Sequence, residues 1–181
     1  MRIIGGSAKG RRLVGPRGTG TRPLIGRARE ALFSRLGDRL PEARVLDLYA
    51  GSGALGLEAL SRGARSVVFV ERGRQALGAL RRNVAAVGLG GTIVDQPVER
   101  FLSSERGTYD IVFVDPPKAL TDGEAAAEPG AVAGGVEASG VVIVHRRAGS
   151  ALELGAGSML MIQDARRYGD AEVWWLDKEI P

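Results

Sequence analysis

The sequence predicts an α/β protein built on an open, mostly parallel sheet. From residue 44 onward, short and continuously apolar runs alternate with segments of helical spacing. Strands that are apolar on both sides are typical of a parallel sheet covered by helices. A glycine-rich turn also follows the first apolar run, as expected where a strand passes into a helix. The length of 181 residues fits one such domain.

The first forty residues predict two elements that precede the sheet. Residues 1–25 are dense in glycine, which argues against a helix and favours an irregular or hairpin-forming arm. Residues 26–40 predict a helix because apolar positions recur every three or four residues and Pro41 marks its end. We therefore divide the chain into a basic N-terminal arm, 1–25, and an α/β domain, 26–181.

The sheet and its helices are predicted in regular alternation. Strands are expected at 45–49, 66–70, 92–94, 109–114 and 140–145, and helices at 54–62, 73–87 and 98–104. Residues 119–139, rich in Ala, Gly and Glu, fit either a weak helix or a mobile loop. Segments 158–165 and 171–176 flank a Tyr-Gly-Asp turn and predict a closing hairpin.

Composition excludes several classes of protein. There is no cysteine and a single histidine, which rules out disulfides, thiolate metal sites and a multi-histidine metal centre. No apolar run approaches the ~20 residues that a membrane span needs, and residues 1–10 lack the apolar region of a signal peptide. We expect a cytoplasmic protein, monomeric, with no membrane partner and no metal.

Positive charge is concentrated at the start of the chain. Residues 1–39 contain ten basic and two acidic residues, a net charge of +8, whereas the remainder carries −4. Such asymmetry favours a polyanionic partner, although a solvated surface segment would have the same composition. The basic residues predicted to follow an RNA backbone are Lys9, Arg11, Arg12, Arg22, Arg27 and Arg29.

The sharpest local feature is the glycine turn between Asp47 and Gly56. Gly51 and Gly53 permit a tight turn and a close approach of the backbone to a ligand. With Glu71 fifteen residues beyond Gly56, the pattern is also that of a dinucleotide site, so a nicotinamide-dependent oxidoreductase is an alternative. Asp47 favours a ligand with a cationic amino group, such as S-adenosylmethionine, over a pyrophosphate; it could instead be an internal hydrogen-bond anchor.

Asp95 and Gln96 extend this candidate ligand site. They end the third strand, where the carboxylate could accept a hydrogen bond from an adenine amino group; an ordinary helix N-cap is the alternative. The residues predicted to bind the cofactor are Asp47, Ala50, Gly51, Ser52, Gly53, Glu71, Asp95 and Gln96.

A second motif, Asp115-Pro116-Pro117, follows the fourth strand. The strand delivers Asp115 to the carboxyl edge of the sheet, where α/β folds bind ligands. The two prolines fix an extended backbone without N–H donors. The Asp115 carboxylate and the Pro116 carbonyl are thus expected to accept both hydrogens of an exocyclic amine and aim its nitrogen at a methyl group. These three residues are the predicted catalytic set.

Together these motifs resemble the class I amino-group methyltransferases, and more closely the RsmD family. The matching segments are 1–6, Arg11, 22–23, 29–33, 46–56, 58–64, 70–71, 113–117 and 168–169. The resemblance implies a Rossmann-like, mostly parallel seven-stranded sheet with helices on both faces and a C-terminal antiparallel hairpin. It also implies transfer of methyl from S-adenosylmethionine to a guanine N2 amine in 16S ribosomal RNA. The partner would be the small ribosomal subunit or an assembly intermediate.

The sequence departs from the family pattern at several positions. Lys118 stands directly after the two prolines, where the family usually has an aromatic residue that can stack on the target base. His145 ends the fifth strand near the place where the family commonly has an acid, and Leu24 replaces a threonine. A surface or packed role for His145 is favoured over that of a base. An RNA-binding module without catalysis is therefore a further alternative.

Overall fold

The computed structural model describes residues 1–15, 26–105, 107–117, 132–150, 152, 154 and 158–178. Its helices are α1 (Gly26–Leu36), α2 (Ala54–Ser61), α3 (Arg74–Val87) and α4 (Val98–Ser104), with short 3₁₀ turns at Gly37–Arg39 and Ala133–Gly135. Its strands are β1 (Arg44–Leu48), β2 (Ser66–Glu71), β3 (Thr92–Asp95), β4 (Tyr109–Val114), β5 (Val136–Arg147), β6 (Leu160–Tyr168) and β7 (Ala171–Lys178). Within these ranges, no helix is both long and apolar enough to cross a membrane.

The described strands form one seven-stranded sheet in the order β3-β2-β1-β4-β5-β7-β6. Strands β1 to β5 run parallel, whereas β7 lies antiparallel between β5 and β6. The predicted fold class is confirmed, including the closing hairpin. Because β1 and β4 are neighbours although they are not consecutive, the order of strands reverses between them, which is where open α/β sheets bind ligands.

Apolar residues on both faces of the central strands explain why the sheet is covered on both sides. On one face, Val45, Phe69 and Phe113 pack in a buried cluster that includes residues of α1 and α2. On the other face, Leu46 and Val112 belong to a second cluster with residues of α4 and β7. The continuous apolar runs in the sequence reflect this two-sided burial.

Element boundaries differ from the predictions at a few positions. The first helix ends at Leu36 rather than Leu40, because Gly37 has a φ of +40° and the chain continues as a 3₁₀ turn. Strand β5 begins at Val136, four residues before the predicted start. This places 136–139, part of the segment predicted as helix or loop, in the sheet. Residues 119–131 of that segment lie outside the described residues.

The described part of the N-terminal arm is packed against the domain. Its apolar residues Ile3 and Leu13 are both 2% exposed and belong to the core cluster on the α2 face. The buried Glu58 carboxylate of α2 accepts hydrogen bonds from the Ile4 and Gly5 amides at 2.7 and 2.8 Å. Further along, the Val14 amide donates to the Asn83 side chain of α3 at 2.9 Å. The fold of these residues is therefore fixed by α2 and α3.

Candidate active site

Three acidic residues meet at the carboxyl edge of the central strands. Asp47 lies near the end of β1, Glu71 ends β2, and Asp115 directly follows β4. Since β1 pairs with both β2 and β4, these side chains occupy neighbouring positions along one edge. The negative charges of Asp115 and Glu71 both act on Asp47. The sequence motifs around Asp47 and Asp115, 68 residues apart, thus form a single site.

The glycine turn lies beside this edge and has an unusual backbone. Tyr49, Gly51 and Gly53 have φ values of +58°, +57° and +77°. A Cβ atom at Gly53 would stand 2.5 Å from a methyl carbon of Leu80, so a larger residue fits neither the space nor the φ angle. The turn is fixed by hydrogen bonds from the Gly53 amide to the Ala50 carbonyl at 2.7 Å and from Asn83 Nδ2 to the Ser52 carbonyl at 2.8 Å.

Glu71 connects the end of β2 to this turn. Its Oε2 accepts a hydrogen bond from the Gly51 amide at 2.8 Å, and its Oε1 accepts from the amides of Arg72 and Gly73 at 2.9 and 2.7 Å. The carboxylate is therefore held at the mouth of the turn by three backbone donors. The structure thus places Glu71 at the end of β2, next to the glycine turn.

Asp47 is almost completely enclosed. Its carboxylate, 1% exposed, accepts a hydrogen bond from the Gly56 amide at 2.9 Å. Burial raises the pKa of Asp47 well above its ordinary value; the hydrogen bond from Gly56 opposes this, and the negative charges of Asp115 and Glu71 add to it. Asp47 thus anchors the start of α2 and also adds negative charge beneath the site.

Asp95 and Gln96 lie one strand further out. Asp95 pairs in register with Glu71 at the ends of β3 and β2, and its side chain is 55% exposed. It forms an ion pair of 3.1 Å with Arg81 of α3. The N-cap of α4 is Pro97, so Asp95 is not the cap residue that its sequence position also allowed.

Asp115 has a partner from the next strand. His145 follows Val144 of β5 as Asp115 follows Val114 of β4, and these two valines are paired in the sheet. His145 Nδ1 lies 2.7 Å from Asp115 Oδ1, with the side chains 15% and 31% exposed. Pro116 is half-buried and Pro117 exposed. Lys118 lies outside the described residues.

The predicted RNA-binding residues occupy different environments. Lys9, Arg11, Arg12 and Arg27 are exposed, and Arg11 donates to the Ala86 carbonyl at the end of α3. Arg29 differs from its prediction: it is 4% exposed and its guanidinium donates to the Arg2 carbonyl, so it holds the arm from within the fold. Arg22 lies outside the described residues.

Tyr49 and His145 have structural roles in the site that the sequence patterns did not predict. Tyr49, expected to be an ordinary strand residue, has a left-handed backbone, and its buried hydroxyl has no hydrogen-bond partner among the described residues. Its place immediately before the glycine turn was the available signal. His145, predicted to be a surface or packed residue, contacts Asp115. Only the pairing of β4 with β5 brings these two side chains together.

The sheet order, the glycine turn and the acidic edge define the Rossmann-like fold of methyltransferases. The chain belongs to the family described as conserved hypothetical protein 95, whose model matches residues 1–177. This match confirms the predicted relationship to the RsmD family. It covers the arm as well as the sheet.

Solved structures and curated relatives agree with this placement. A hypothetical protein from Thermus thermophilus is 35% identical, with a TM-score of 0.81 over 98% of this chain and 99% of that chain. An Escherichia coli structure described as a candidate methyltransferase is 31% identical, with a TM-score of 0.83 over 99% and 98%. The Escherichia coli protein named ribosomal RNA small subunit methyltransferase D is 43% identical over 65% of this chain. That matched segment spans 60% of the curated protein's length.

Proposed function

We propose that the protein transfers a methyl group from S-adenosylmethionine to the N2 amine of a guanine in 16S ribosomal RNA. The observation that carries this proposal is the meeting of the glycine-turn acids with Asp115 at one sheet edge. One motif suits the methyl donor and the other suits an amine, and their juxtaposition is what methyl transfer between them requires. The name of the Escherichia coli relative supports ribosomal RNA of the small subunit as the substrate.

The charge of the site fits this donor. Asp47, Glu71 and Asp115 repel one another, which contributes to the raised pKa of Asp47, although burial is the larger cause. S-adenosylmethionine carries a sulfonium and an ammonium group, and both charges would relieve this repulsion. A dinucleotide pyrophosphate would increase it. The acidic edge therefore favours S-adenosylmethionine over the nicotinamide alternative.

Individual residues have distinct roles toward the donor. Glu71, held at the glycine turn by backbone amides, would accept hydrogen bonds from the ribose hydroxyls. Asp95 and Gln96, in register beside Glu71, would meet the adenine edge. Asp47 would attract the ammonium group from beneath the turn. When bound, the donor supplies a methyl group on a positively charged sulfur, which makes the methyl electrophilic without any metal.

Asp115 and the two prolines would hold the target amine. The carboxylate and the Pro116 carbonyl are acceptors for the two N2 hydrogens, and neither proline offers a competing N–H group. Fixing both hydrogens aims the nitrogen lone pair at the methyl, so catalysis relies on positioning and electrostatics. A guanine inside a duplex cannot reach this position, so the base must be splayed or flipped out.

The exposed cations of the arm would bind the RNA backbone. Lys9, Arg11 and Arg12 lie on a segment that is fixed to α2 and α3 rather than free. Phosphate contacts of this kind position the nucleic acid without reading its sequence. The substrate would be the small subunit or an assembly intermediate, which places the reaction in the cytoplasm.

The proposal is tested by transfer of labelled methyl from S-adenosylmethionine to small ribosomal subunits that lack the modification. We expect N2-methylguanosine in 16S RNA, and a loss of about 10²-fold or more in rate with Asp115→Ala. Asp110→Ala is a matched control, because Asp110 lies near the start of β4, the strand that Asp115 follows, and accepts a hydrogen bond from the Arg44 amide, away from the acidic edge. This control variant should retain its methyl-transfer activity. Circular dichroism should verify that both variants are folded.

Three results would contradict the proposal or its assignment of the amine site. Absence of label from both subunits and free 16S RNA, with folded protein that binds the donor, would exclude ribosomal RNA as substrate. Binding of RNA without donor binding or methyl transfer would instead support the RNA-binding module without catalysis. Label in RNA that survives Asp115→Ala would place the amine site elsewhere.

A further inference from the structure

The contact between His145 and Asp115 links the predicted amine site to a neighbouring strand. Nδ1 of His145 lies 2.7 Å from Oδ1 of Asp115, and both side chains are partly exposed at the sheet edge. The distance is within the range of a charge-assisted hydrogen bond. One carboxylate oxygen of Asp115 is therefore engaged by the ring, and within the described residues no hydrogen bond to the second oxygen is found.

This arrangement restricts how Asp115 can turn. A carboxylate held at one oxygen cannot rotate freely, so its other oxygen keeps a fixed direction toward a ligand. The fold supplies the partner through register alone, since Val114 pairs with Val144 and each functional residue is the next one along its strand. Both strands are buried at this level, which makes the relative position of the two side chains rigid.

Other charged groups surround this pair. Asp47 on β1 interacts electrostatically with Asp115, and Glu71 ends the strand beyond it. On the other side, His145 pairs with Val173 of β7, next to Glu172, whose carboxylate accepts from the Gly149 amide. The basic residues next to His145 in the chain are Arg146 and Arg147 of β5.

We propose that His145 is a positioning residue for methyl transfer, with its Nδ1–H donating to Asp115 Oδ1 so that Oδ2 faces the target amine. This inference rests on the proposed function. In the reaction, the N2 lone pair forms the bond to the methyl carbon while the carbon–sulfur bond breaks and its electrons stay on sulfur. The amine then carries a positive charge, and it gives one proton to Asp115 Oδ2, which releases that proton to solvent.

The positioning role requires only the N–H group of the ring. Neutral imidazole with its proton on Nδ1 orients the carboxylate and leaves the carboxylate charge available to the amine. A neutral residue with an equivalent N–H group should therefore orient Asp115 in the same way.

The first test observes the imidazole ring directly and does not require an activity measurement. Its signals can be assigned at once, because His145 is the single histidine of the chain. In ¹⁵N-labelled protein, two-bond proton–nitrogen correlations of the imidazole report its tautomer without ambiguity. At alkaline pH we expect Nδ1–H in the wild type, and a shift toward Nε2–H in Asp115→Ala, which removes the acceptor. An Nε2–H tautomer in the wild type would overturn the pairing.

The second test separates positioning from binding. His145→Leu should lower kcat by about 10- to 100-fold, as expected when a reacting group is slightly misplaced, and leave the KM for the donor within about 2-fold. His145→Asn, which can place an amide N–H where Nδ1–H lies, should recover most of the lost kcat.

The outcomes distinguish this inference from the function on which it rests. Wild-type protein that binds the donor but transfers no methyl would overturn the proposed function and the positioning role together. An active wild type with unchanged kcat in His145→Leu, or an equal loss of kcat in His145→Leu and His145→Asn, would overturn the positioning role alone. Donor affinity measured by calorimetry shows that each variant is folded.

Discussion

Two buried carboxylates contact helix α2, and their surroundings are opposite. Glu58, within the helix, is 0% exposed; it accepts hydrogen bonds from the Ile4 and Gly5 amides and pairs with Arg62 at 2.8 Å. Asp47 is 1% exposed and accepts a bond from the Gly56 amide, and two further carboxylates raise its pKa in addition to its burial. The fold compensates the charge of the first and increases the electrostatic cost of the second.

This difference separates a structural acid from one that is ready for a ligand. A buried charge is tolerated when hydrogen bonds and an opposite charge replace the water it has lost. Glu58 meets that condition with groups of its own chain. Asp47 would meet it when a cationic ligand occupies the acidic edge. Excess negative charge beside the glycine turn is therefore the feature that identifies the site.

Removal of the Glu58 carboxylate, whose charge is compensated within the fold, should have the largest effect on stability. Glu58→Ala leaves two arm amides and the Arg62 guanidinium without their acceptor, and breaking a buried ion pair costs about 3–5 kcal/mol. Denaturation by urea should show this loss. Glu30→Ala, an exposed acid on α1, should change the free energy of unfolding by less than about 0.5 kcal/mol. Equal effects of the two variants would contradict the structural role of Glu58.

Removal of the Asp47 carboxylate should have a smaller effect on the free energy of unfolding, and of opposite sign. Folding raises the pKa of Asp47 above its ordinary value of 3.8. The free energy of unfolding should therefore fall as the pH rises from 3.8 toward this raised pKa. Asp47→Asn removes the charge, so the ligand-free variant should be more stable than the wild type at neutral pH. The difference should narrow as the pH is lowered toward 3.8.

Asp47→Asn should also weaken the binding of S-adenosylmethionine. Loss of a charge-assisted contact costs about 1.5–3 kcal/mol, which corresponds to roughly 10- to 100-fold in affinity. Thermal unfolding with and without S-adenosylmethionine measures both effects in one experiment, because bound ligand raises the melting temperature. A variant that is less stable than the wild type and binds the donor normally would show that Asp47 is a structural anchor like Glu58.

The smallest effect on stability is expected for the exposed cations of the arm. Lys9→Gln combined with Arg12→Gln should leave the free energy of unfolding within about 0.5 kcal/mol. If both contact phosphates, the slope of log affinity for RNA against log salt should decrease by about 0.7–0.9 for each lost contact. Arg100→Gln, an exposed arginine on α4, is the matched control and should not alter the slope.

The sequence predicted the parts of the fold that depend on local patterns. The strands from β1 to β4 and their helices were found because each buried strand is continuously apolar and each helix repeats every three or four residues. The end of α1 was predicted too late, since the residues after Leu36 keep helical spacing although Gly37 turns the chain. The start of β5 was missed because Glu137, Ala138 and Ser139 have little strand preference.

In the candidate site, contacts between residues that are distant in the sequence could not be predicted from the sequence alone. The motifs around Asp47 and Asp115 were visible because each is a short pattern with its own physical logic. The pairing of Asp115 with His145 depends on the register of two strands, and the burial of Arg29 depends on where the arm docks. Neither register nor docking leaves a local signal in one sequence.

The attachment of the arm also sets an order of events during synthesis. The Gly5 amide finds its acceptor 53 residues later in the chain, and the Val14 amide finds its acceptor 69 residues later. At about 5–20 residues per second, the arm emerges from the ribosome several seconds before those partners exist. During that interval a nascent segment rich in arginine has no docking site. The arm can therefore dock only after α2 and α3 have been made.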